Sequence, residues 1–191
     1  METLIVSSVT VALAEIGDKT QLLSLFLATR FRNKWAIIAG ILVATLLNHS
    51  ASAWLGTWLA GYLQSRIGQG LIAISFIALG CWLLVPDKDD SEESSLQKYG
   101  AFVAATVLFF LAEIGDKTQV ATVLLGAQFD SIVWVTLGTT LGMLAANVPV
   151  VFAGDYLMRR LPLNGARWTA AAVFIGVGVY ELCTHVLLPG S

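Results

Sequence analysis

The sequence has few charged residues for its length. Only 13% of its 191 residues are Asp, Glu, Lys or Arg, whereas 57% are hydrophobic, and the mean hydropathy is +0.76. Soluble globular domains carry about 25% charged residues, so this composition indicates a protein of the lipid bilayer. The net charge is only −2, and no basic cluster is long enough to follow a phosphate backbone, which excludes a nucleic-acid partner.

Cysteine is equally scarce. Cys81 and Cys183 are far apart and outside any CxxC pattern, so they predict neither a metal knuckle nor a disulfide framework. The chain begins Met1-Glu2 without a basic region, and its first apolar run continues through a charged motif, so we expect no cleavable signal peptide. No nucleophile–base pair and no histidine-based metal site is visible, so an enzyme is not expected.

Six apolar stretches have the length of about 20 residues that a membrane-spanning helix needs. They lie at roughly 4–28, 35–60, 68–85, 101–126, 132–157 and 168–188. Backbone polar groups in lipid must be satisfied internally, so the sequence predicts an all-α integral membrane protein with six transmembrane helices.

The basic residues predict the orientation of these spans. Eight of them fall in the breaks after the first, third and fifth spans: Arg30, Arg32, Lys34, Lys88, Lys98, Arg159, Arg160 and Arg167. The opposite side has only Arg66. The positive side should face the cytoplasm, which places both termini outside it. We therefore expect a multi-pass protein of the cell membrane, in a bacterium the inner membrane.

The chain is also an internal repeat. The nine letters LAEIGDKTQ at 13–21 recur at 111–119, an offset of 98 residues. The same offset aligns Phe76, Ile77 and Gly80 with Phe174, Ile175 and Gly178, and an offset of 99 aligns Asn48 with Asn147. We divide the chain into a first three-helix repeat at 1–85, an acidic cytoplasmic linker at 86–100 and a second three-helix repeat at 101–191. Three spans per half make the halves inverted, as in many secondary transporters.

The repeated motif places charge in the middle of the first and fourth spans. Its ionisable residues are Glu15, Asp18 and Lys19 in the first half and Glu113, Asp116 and Lys117 in the second. Each costs at least about 2.5–3.5 kcal/mol to insert, so such groups usually face a cavity or a partner. Residues at i, i+3 and i+4 of a helix share one face, so we expect the three charged residues of each motif to form one stripe. Gly17 and Gly115 between the acids permit close helix approach or a local break that frees carbonyls.

The side chains around the motif supply oxygen, and we expect no sulfur or imidazole nearby. Neutral oxygens come from Thr20, Gln21, Thr118 and Gln119, with Asn48 and Asn147 as further supporting residues. Together with the carboxylates they suit Ca²⁺, Mn²⁺ or Mg²⁺ better than Zn²⁺ or copper. His49 is the only histidine near the motif, and a lone helical histidine is more often packed or proton-handling than a ligand.

Four carboxylates and two ammonium groups leave a charge of −2, which one divalent cation or two protons would neutralise. That equivalence favours exchange of a cation for protons. Alternatively, each lysine pairs with the glutamate four residues before it and leaves the aspartates for the metal.

Two other functions stay open: a monovalent cation/proton exchanger, and a non-transporting membrane subunit whose buried ion pairs are structural.

The motif EIGDKT, present twice in six spans with an acidic central loop, resembles the Gdt-type cation transporters, which carry a duplicated Glu-x-Gly-Asp-(Lys/Arg)-(Thr/Ser) motif, and among them the bacterial MneA-type manganese exporters. The resemblance implies that Mn²⁺ or Ca²⁺ is moved out of the cytoplasm in exchange for protons, without a prosthetic group. Carried over by position, the acids that bind the cation are Glu15, Asp18, Glu113 and Asp116. Glu181 replaces Leu83 of the first half, and we expect its side chain to be solvated.

Overall fold

The computed structural model describes residues 1–61, 65–85, 99–154 and 163–187. Within these ranges the chain is all-helical, which confirms the predicted class. The helices are α1 Glu2–Glu15, α2 Lys19–Arg30, α3 Lys34–Ala60, α4 Arg66–Leu83, α5 Ala101–Glu113, α6 Lys117–Phe129, α7 Ile132–Ala153 and α8 Leu163–Glu181, and a π-helical turn follows at Leu182–Leu187. Most of the predicted acidic linker, with its two lysines, and the basic pair at 159–160 lie outside the described residues.

Four of the six predicted spans correspond to single helices: α3, α4, α7 and α8. By length and composition, α3 and α7 are long and apolar enough to cross a bilayer. The other apolar helices are shorter, at Ile67–Leu83, Ala101–Glu113 and Trp168–Thr184.

The remaining two predicted spans are broken at the repeated motif. The chain leaves the helix after Glu15 and after Glu113, and it re-enters at Lys19 and Lys117. The reason lies in the glycines between them, since Gly17 has φ +82° and Gly115 has φ +74°, values at which an α-helix cannot continue. The prediction that the charged residues share one continuous helical stripe was therefore wrong, and the local break is what occurs.

Several polar side chains are buried in the helix bundle beside its apolar core, and many large apolar side chains lie on its outer surface. Ser7, Thr45 and Thr139 are completely buried, whereas Trp54 is 58% exposed and Val133 is 63% exposed. A water-soluble fold has the opposite arrangement, because exposed apolar area costs free energy in water. The distribution is the one expected of a bundle surrounded by lipid.

The two halves pack reciprocally. Helix α1 packs against α7, and its repeat equivalent α5 packs against α3. Glycines allow the close approach at both crossings. A Cβ at Gly40 would lie 2.7 Å from the carbonyl oxygen of Phe102, and a Cβ at Gly138 would lie 2.7 Å from that of Leu4. The 98-residue offset relates the first contact to the second, because it converts Gly40 into Gly138 and Leu4 into Phe102.

Helices α4 and α8 show the same reciprocity. Phe76 and Phe174, which are repeat equivalents, stack on each other with ring centroids 6.0 Å apart and an interplanar angle of 30°. Nearby, a Cβ at Gly80 would meet the carbonyl oxygen of Ala171. A Cβ at Gly178 would meet the carbonyl oxygen of Ala73. Equivalent residues of the two halves therefore contact each other where α4 packs against α8.

The glycine contacts also correct the alignment of α3 with α7. Gly40 and Gly138 make equivalent contacts, so α3 and α7 align at an offset of 98 residues. At this offset the repeat equivalent of Asn147 is His49. The predicted match of Asn48 with Asn147 is therefore displaced by one residue. A shared residue type suggested that match, whereas the backbone contacts define the correspondence.

Candidate functional site

The two helix breaks place carboxylates at helix ends. Asp18 is the N-cap of α2, and Asp116 is the N-cap of α6 and accepts a hydrogen bond from the backbone N–H of Thr118 at 3.4 Å. The N-terminal end of a helix carries partial positive charge, so it stabilises an acidic side chain at that position. The preceding helices end at the two glutamates of the motif. Each break thus gathers two acids between two helix ends.

The side chains of the two motif glutamines form hydrogen bonds with the backbone at the helix breaks. The N–H of Gly17 donates to Gln21 Oε1 at 2.8 Å, and the N–H of Gly115 donates to Gln119 Oε1 at 2.7 Å. Gln21 Nε2 also donates to the carbonyl oxygen of Ala146 in α7 at 3.0 Å. These amides satisfy backbone groups that the interrupted helix leaves without partners.

Three of the four acids singled out from the sequence come together. Glu15, Glu113 and Asp116 each offer an oxygen, and these oxygens all lie within 4.8 Å of one another. All three side chains are buried, and they come from both halves of the chain. Asp18 is also buried but does not belong to this group. Three buried carboxylates in such proximity repel one another unless cations or protons accompany them.

The carboxylate of Glu15 is fully buried and hydrogen-bonded on both oxygens. The hydroxyl of Thr20 donates to Oε2, and the hydroxyl of Thr118 donates to Oε1. One threonine belongs to the motif of Glu15 and the other to the second motif. The two motif threonines therefore serve the same glutamate.

Glu113, the repeat equivalent of Glu15, is in a different environment. It is fully buried, yet neither carboxylate oxygen accepts a hydrogen bond from any residue that the structure describes. Its Oε2 lies 3.8 Å from Nε2 of His49, which is also fully buried. That distance is too long for a hydrogen bond. Sequence reasoning did not place His49 in the site, because its position depends on how α3 packs against α5 and α6.

The lysines form contacts other than the ones considered from the sequence. Lys19 Nζ lies 2.8 Å from Asp116 Oδ1 and so forms an ion pair between the two halves. Lys117 Nζ donates to the carbonyl oxygen of Val85 at 2.8 Å. Among the described contacts, neither lysine pairs with the glutamate four residues before it, because the break removes the helical turn that would bring them together.

The two asparagines form hydrogen bonds between helices outside the acidic cluster. Asn48 Nδ2 donates to the carbonyl oxygen of Phe110 at 3.0 Å. Asn147 Oδ1 accepts from Ser24 Oγ at 2.8 Å, and its Nδ2 donates to the carbonyl oxygen of Met143 at 3.1 Å. These contacts join α3 to α5 and α7 to α2, so the asparagines support the site through packing.

Glu181 corrects another expectation. Its side chain is buried instead of solvated, and its Oε1 accepts a hydrogen bond from Gln128 Nε2 at 2.7 Å. Both residues line a cavity of about 290 Å³ that Glu2 and Thr10 also border. The sequence places Glu181 near the end of a predicted span, but the packing of α8 against α1 and α4 encloses it.

Buried acids at two breaks in apolar helices are the arrangement of an ion transporter. The family described as "Divalent cation/proton antiporter GDT1" matches residues 3–91 and 101–187, which is most of the chain. The chain belongs to this family, and it is accordingly a transmembrane ion-transport protein.

Relatives in three groups of organisms show the range of the family. The chain is 53% identical over 176 residues to the "Putative manganese exporter" of Vibrio cholerae, covering 92% of this chain and 88% of that one. It is 28% identical over 177 residues to a GDT1-like protein of Synechocystis, covering 79% and 82%. It is 24% identical over 195 residues to GDT1-like protein 3 of rice, covering 88% and 69%. No solved structure matches the chain.

Proposed function

We propose that this chain exports Mn²⁺ from the cytoplasm in exchange for protons, and that the cation binds at the two helix breaks. The observation that carries the proposal is the convergence of Glu15, Glu113 and Asp116, whose oxygens lie within 4.8 Å of one another in a buried position. Carboxylate oxygen is the donor that Mn²⁺, Ca²⁺ and Mg²⁺ prefer. Asp18 completes the set of acids as a ligand at another stage of transport.

The site carries the charge that exchange needs. With all groups ionised, the three clustered carboxylates and the ammonium group of Lys19 sum to −2. One divalent cation or two protons would neutralise that charge, and a buried net charge is costly in a low-dielectric interior. The site is therefore stable when occupied by one cargo or the other, which couples the movement of the cation to the movement of protons.

The architecture that fits this function has six spans in two inverted halves. In it α1 with α2 forms one broken span and α5 with α6 forms another, while α3, α4, α7 and α8 each cross once. The reciprocal contacts of α1 with α7 and of α5 with α3 support it. The boundaries are 1–85 and 101–191 for the repeats, with 86–100 as the cytoplasmic linker and both termini outside the cytoplasm.

Manganese is proposed as the cargo on two grounds. The Vibrio relative carries the name of a manganese exporter, and the acidic cluster offers oxygen ligands at the charge that a divalent ion requires. Calcium has the same preference for oxygen, so the family alone leaves both ions as candidates.

The test is flux in proteoliposomes that contain the purified protein and a trapped pH indicator. An imposed Mn²⁺ gradient should move protons in the opposite direction, and an imposed pH gradient should drive Mn²⁺ uptake. Mn²⁺ movement without any proton movement would contradict the exchange. Replacing Mn²⁺ by Na⁺ or K⁺ distinguishes a monovalent cation/proton exchanger.

A structural role for the charges is the second candidate, and the Lys19–Asp116 ion pair favours it, since this pair joins the two halves. A membrane subunit held together in this way would insert and purify but would move no ion in the same vesicles. Absence of flux for every cation, in protein that remains folded, would support this candidate.

A further inference from the structure

We infer that His49 is a ligand of the transported cation and that its imidazole nitrogen selects Mn²⁺ over Ca²⁺ and Mg²⁺. The inference rests on the proposed function, because it assigns a further donor to the same site. It begins from the contrast between the two motif glutamates, which have identical sequence surroundings but different neighbours in space.

The geometry places the imidazole beside the acidic cluster. His49 Nε2 lies 3.8 Å from Glu113 Oε2, and both side chains are fully buried. Two donor atoms about 2.2 Å from one ion lie at most about 4.4 Å apart, so a separation of 3.8 Å fits joint ligation although it is too long for a hydrogen bond. His49 therefore lies next to Glu113 and outside the group of three carboxylates whose oxygens all lie within 4.8 Å of one another, so Glu113 is the acid with which it would share the ion.

Both members of this pair are unsatisfied by protein. Neither ring nitrogen of His49 and neither oxygen of Glu113 forms a hydrogen bond within the described part of the chain. Buried polar groups in native proteins are nearly always hydrogen-bonded, and an exception calls for a specific explanation. A cation held between the imidazole and the carboxylate supplies the missing partner to both.

The repeat supplies an internal comparison. The residue at the equivalent position of the second half is Asn147, whose amide is fully engaged with Ser24 and with the carbonyl oxygen of Met143. The second half therefore satisfies this position within the protein, whereas the first half places an unpartnered nitrogen donor beside a glutamate. A purely structural histidine would be expected to have a partner comparable to that of Asn147.

The chemistry of nitrogen ligands gives the specificity. Imidazole binds first-row transition metals, among which Mn²⁺ binds it most weakly, whereas Ca²⁺ and Mg²⁺ take oxygen almost exclusively. A site of three carboxylates alone discriminates poorly among these divalent ions. One imidazole added to it favours Mn²⁺ while the oxygen majority is retained.

The test is electron spin-echo envelope modulation of Mn²⁺ bound to the untagged, purified protein, which detects a directly coordinated nitrogen. We expect nitrogen modulation in the wild type, its loss in His49→Gln and its persistence in His185→Gln, which changes the other histidine of the chain. In parallel, competition by Ca²⁺ against Mn²⁺ flux should become about 10-fold more effective in His49→Gln. Ser52→Ala should leave it unchanged, because that buried hydroxyl on the same helix bonds only to its own backbone at Asn48.

The outcomes separate this inference from the proposed function. Wild-type protein that moves Mn²⁺ but shows no nitrogen modulation, or modulation that survives in His49→Gln, would overturn the role of His49 and leave the exchange intact. Wild-type protein that neither binds nor moves Mn²⁺ would overturn both. If His49→Gln does not fold, His49→Asn provides the same comparison, because it places at this position the amide that the second half already accommodates.

Discussion

Lys19 Nζ lies 2.8 Å from Asp116 Oδ1, so the lysine of the first motif is paired with the aspartate of the second. The pair crosses between the two halves at the acidic cluster. The lysine side chain is 32% exposed and the aspartate side chain only 4%. Removing the lysine therefore leaves a buried anion, whereas removing the aspartate leaves an ammonium group that can reach water along its flexible stem.

We expect Asp116→Asn to abolish Mn²⁺/H⁺ exchange while the protein still inserts and purifies. The amide keeps the shape of the side chain but removes the charge that binds the cation. Because Lys19 is partly exposed, the loss of stability should fall below the roughly 3–5 kcal/mol of a broken, fully buried pair. The measurement is flux and yield for Asp116→Asn and for the double variant with Lys19→Met. Flux restored in the double variant would show that the acid only balances the lysine.

The two motif aspartates should differ in their effect on transport. Asp116 belongs to the three-carboxylate group and Asp18 does not, although the two occupy the same position in identical motifs. We expect Asp18→Asn to retain measurable Mn²⁺ flux under conditions where Asp116→Asn retains none. The two variants are measured side by side at equal protein density in vesicles. Equal losses would mean that the acids are equivalent in the transport cycle.

Thr118→Val should destabilise the protein by removing a hydrogen bond to the buried carboxylate of Glu15. Leaving such an acceptor less satisfied costs about 1–3 kcal/mol. The serine variant, Thr118→Ser, keeps the hydroxyl and should retain most of the stability. Thermal unfolding in detergent at fixed pH measures the difference. Valine and serine variants of equal stability would show that the hydroxyl is not a donor to Glu15.

A side chain at Gly126 of α6 should destabilise the protein, because α3 crosses α6 at this residue. A Cβ at this position would lie 2.6 Å from the carbonyl oxygen of Ala53, so Gly126→Ala forces the helices apart at a cost of about 1–3 kcal/mol. The matched control is Gly176→Ala in α8, where nothing lies within 4 Å of the added Cβ. That control should be neutral, or stabilising by up to about 1 kcal/mol, since alanine favours a helix over glycine. Equal melting temperatures for both variants would contradict the close crossing.

Gly115→Ala should destabilise the second helix break through the backbone alone. The added Cβ would meet nothing within 4 Å, but the φ of +74° is strained for any residue with a side chain. The expected cost is about 1–3 kcal/mol. Asparagine tolerates this region better than alanine, so Gly115→Asn should lie closer to the wild type in a thermal unfolding measurement. If alanine were as stable as asparagine there, the left-handed conformation would not be what glycine provides.

Much of the fold could be predicted from the sequence, because the length of each apolar stretch and the exact repeat can be read directly from the order of the residues. The six apolar stretches located the helices, and the 98-residue offset identified which helices of the two halves are equivalent. The equivalence of Phe76 and Phe174 followed from the same offset, but nothing in the sequence shows that the two rings stack on each other.

The details of the site were less accessible because they depend on packing between halves. The i, i+3, i+4 rule assumes a continuous helix, and it failed at Gly17 and Gly115, where positive φ interrupts the helix. Because the helical turn is missing there, Lys19 pairs with Asp116 of the other motif. His49 is a similar case, since no sequence spacing connects it to Glu113, 64 positions later. Such contacts arise only when α3 is docked against the second half.

The assignment of both threonine hydroxyls to Glu15 has a consequence for the repeat itself. Two motifs with the same nine letters are interchangeable as chemistry, so the letters alone cannot decide which glutamate receives the hydroxyls. The difference arises from neighbours outside the motif, among them the imidazole of His49, whose Nε2 lies 3.8 Å from Glu113 Oε2. The asymmetry between the two glutamates thus resides in the surroundings of the duplicated segment and not in its letters.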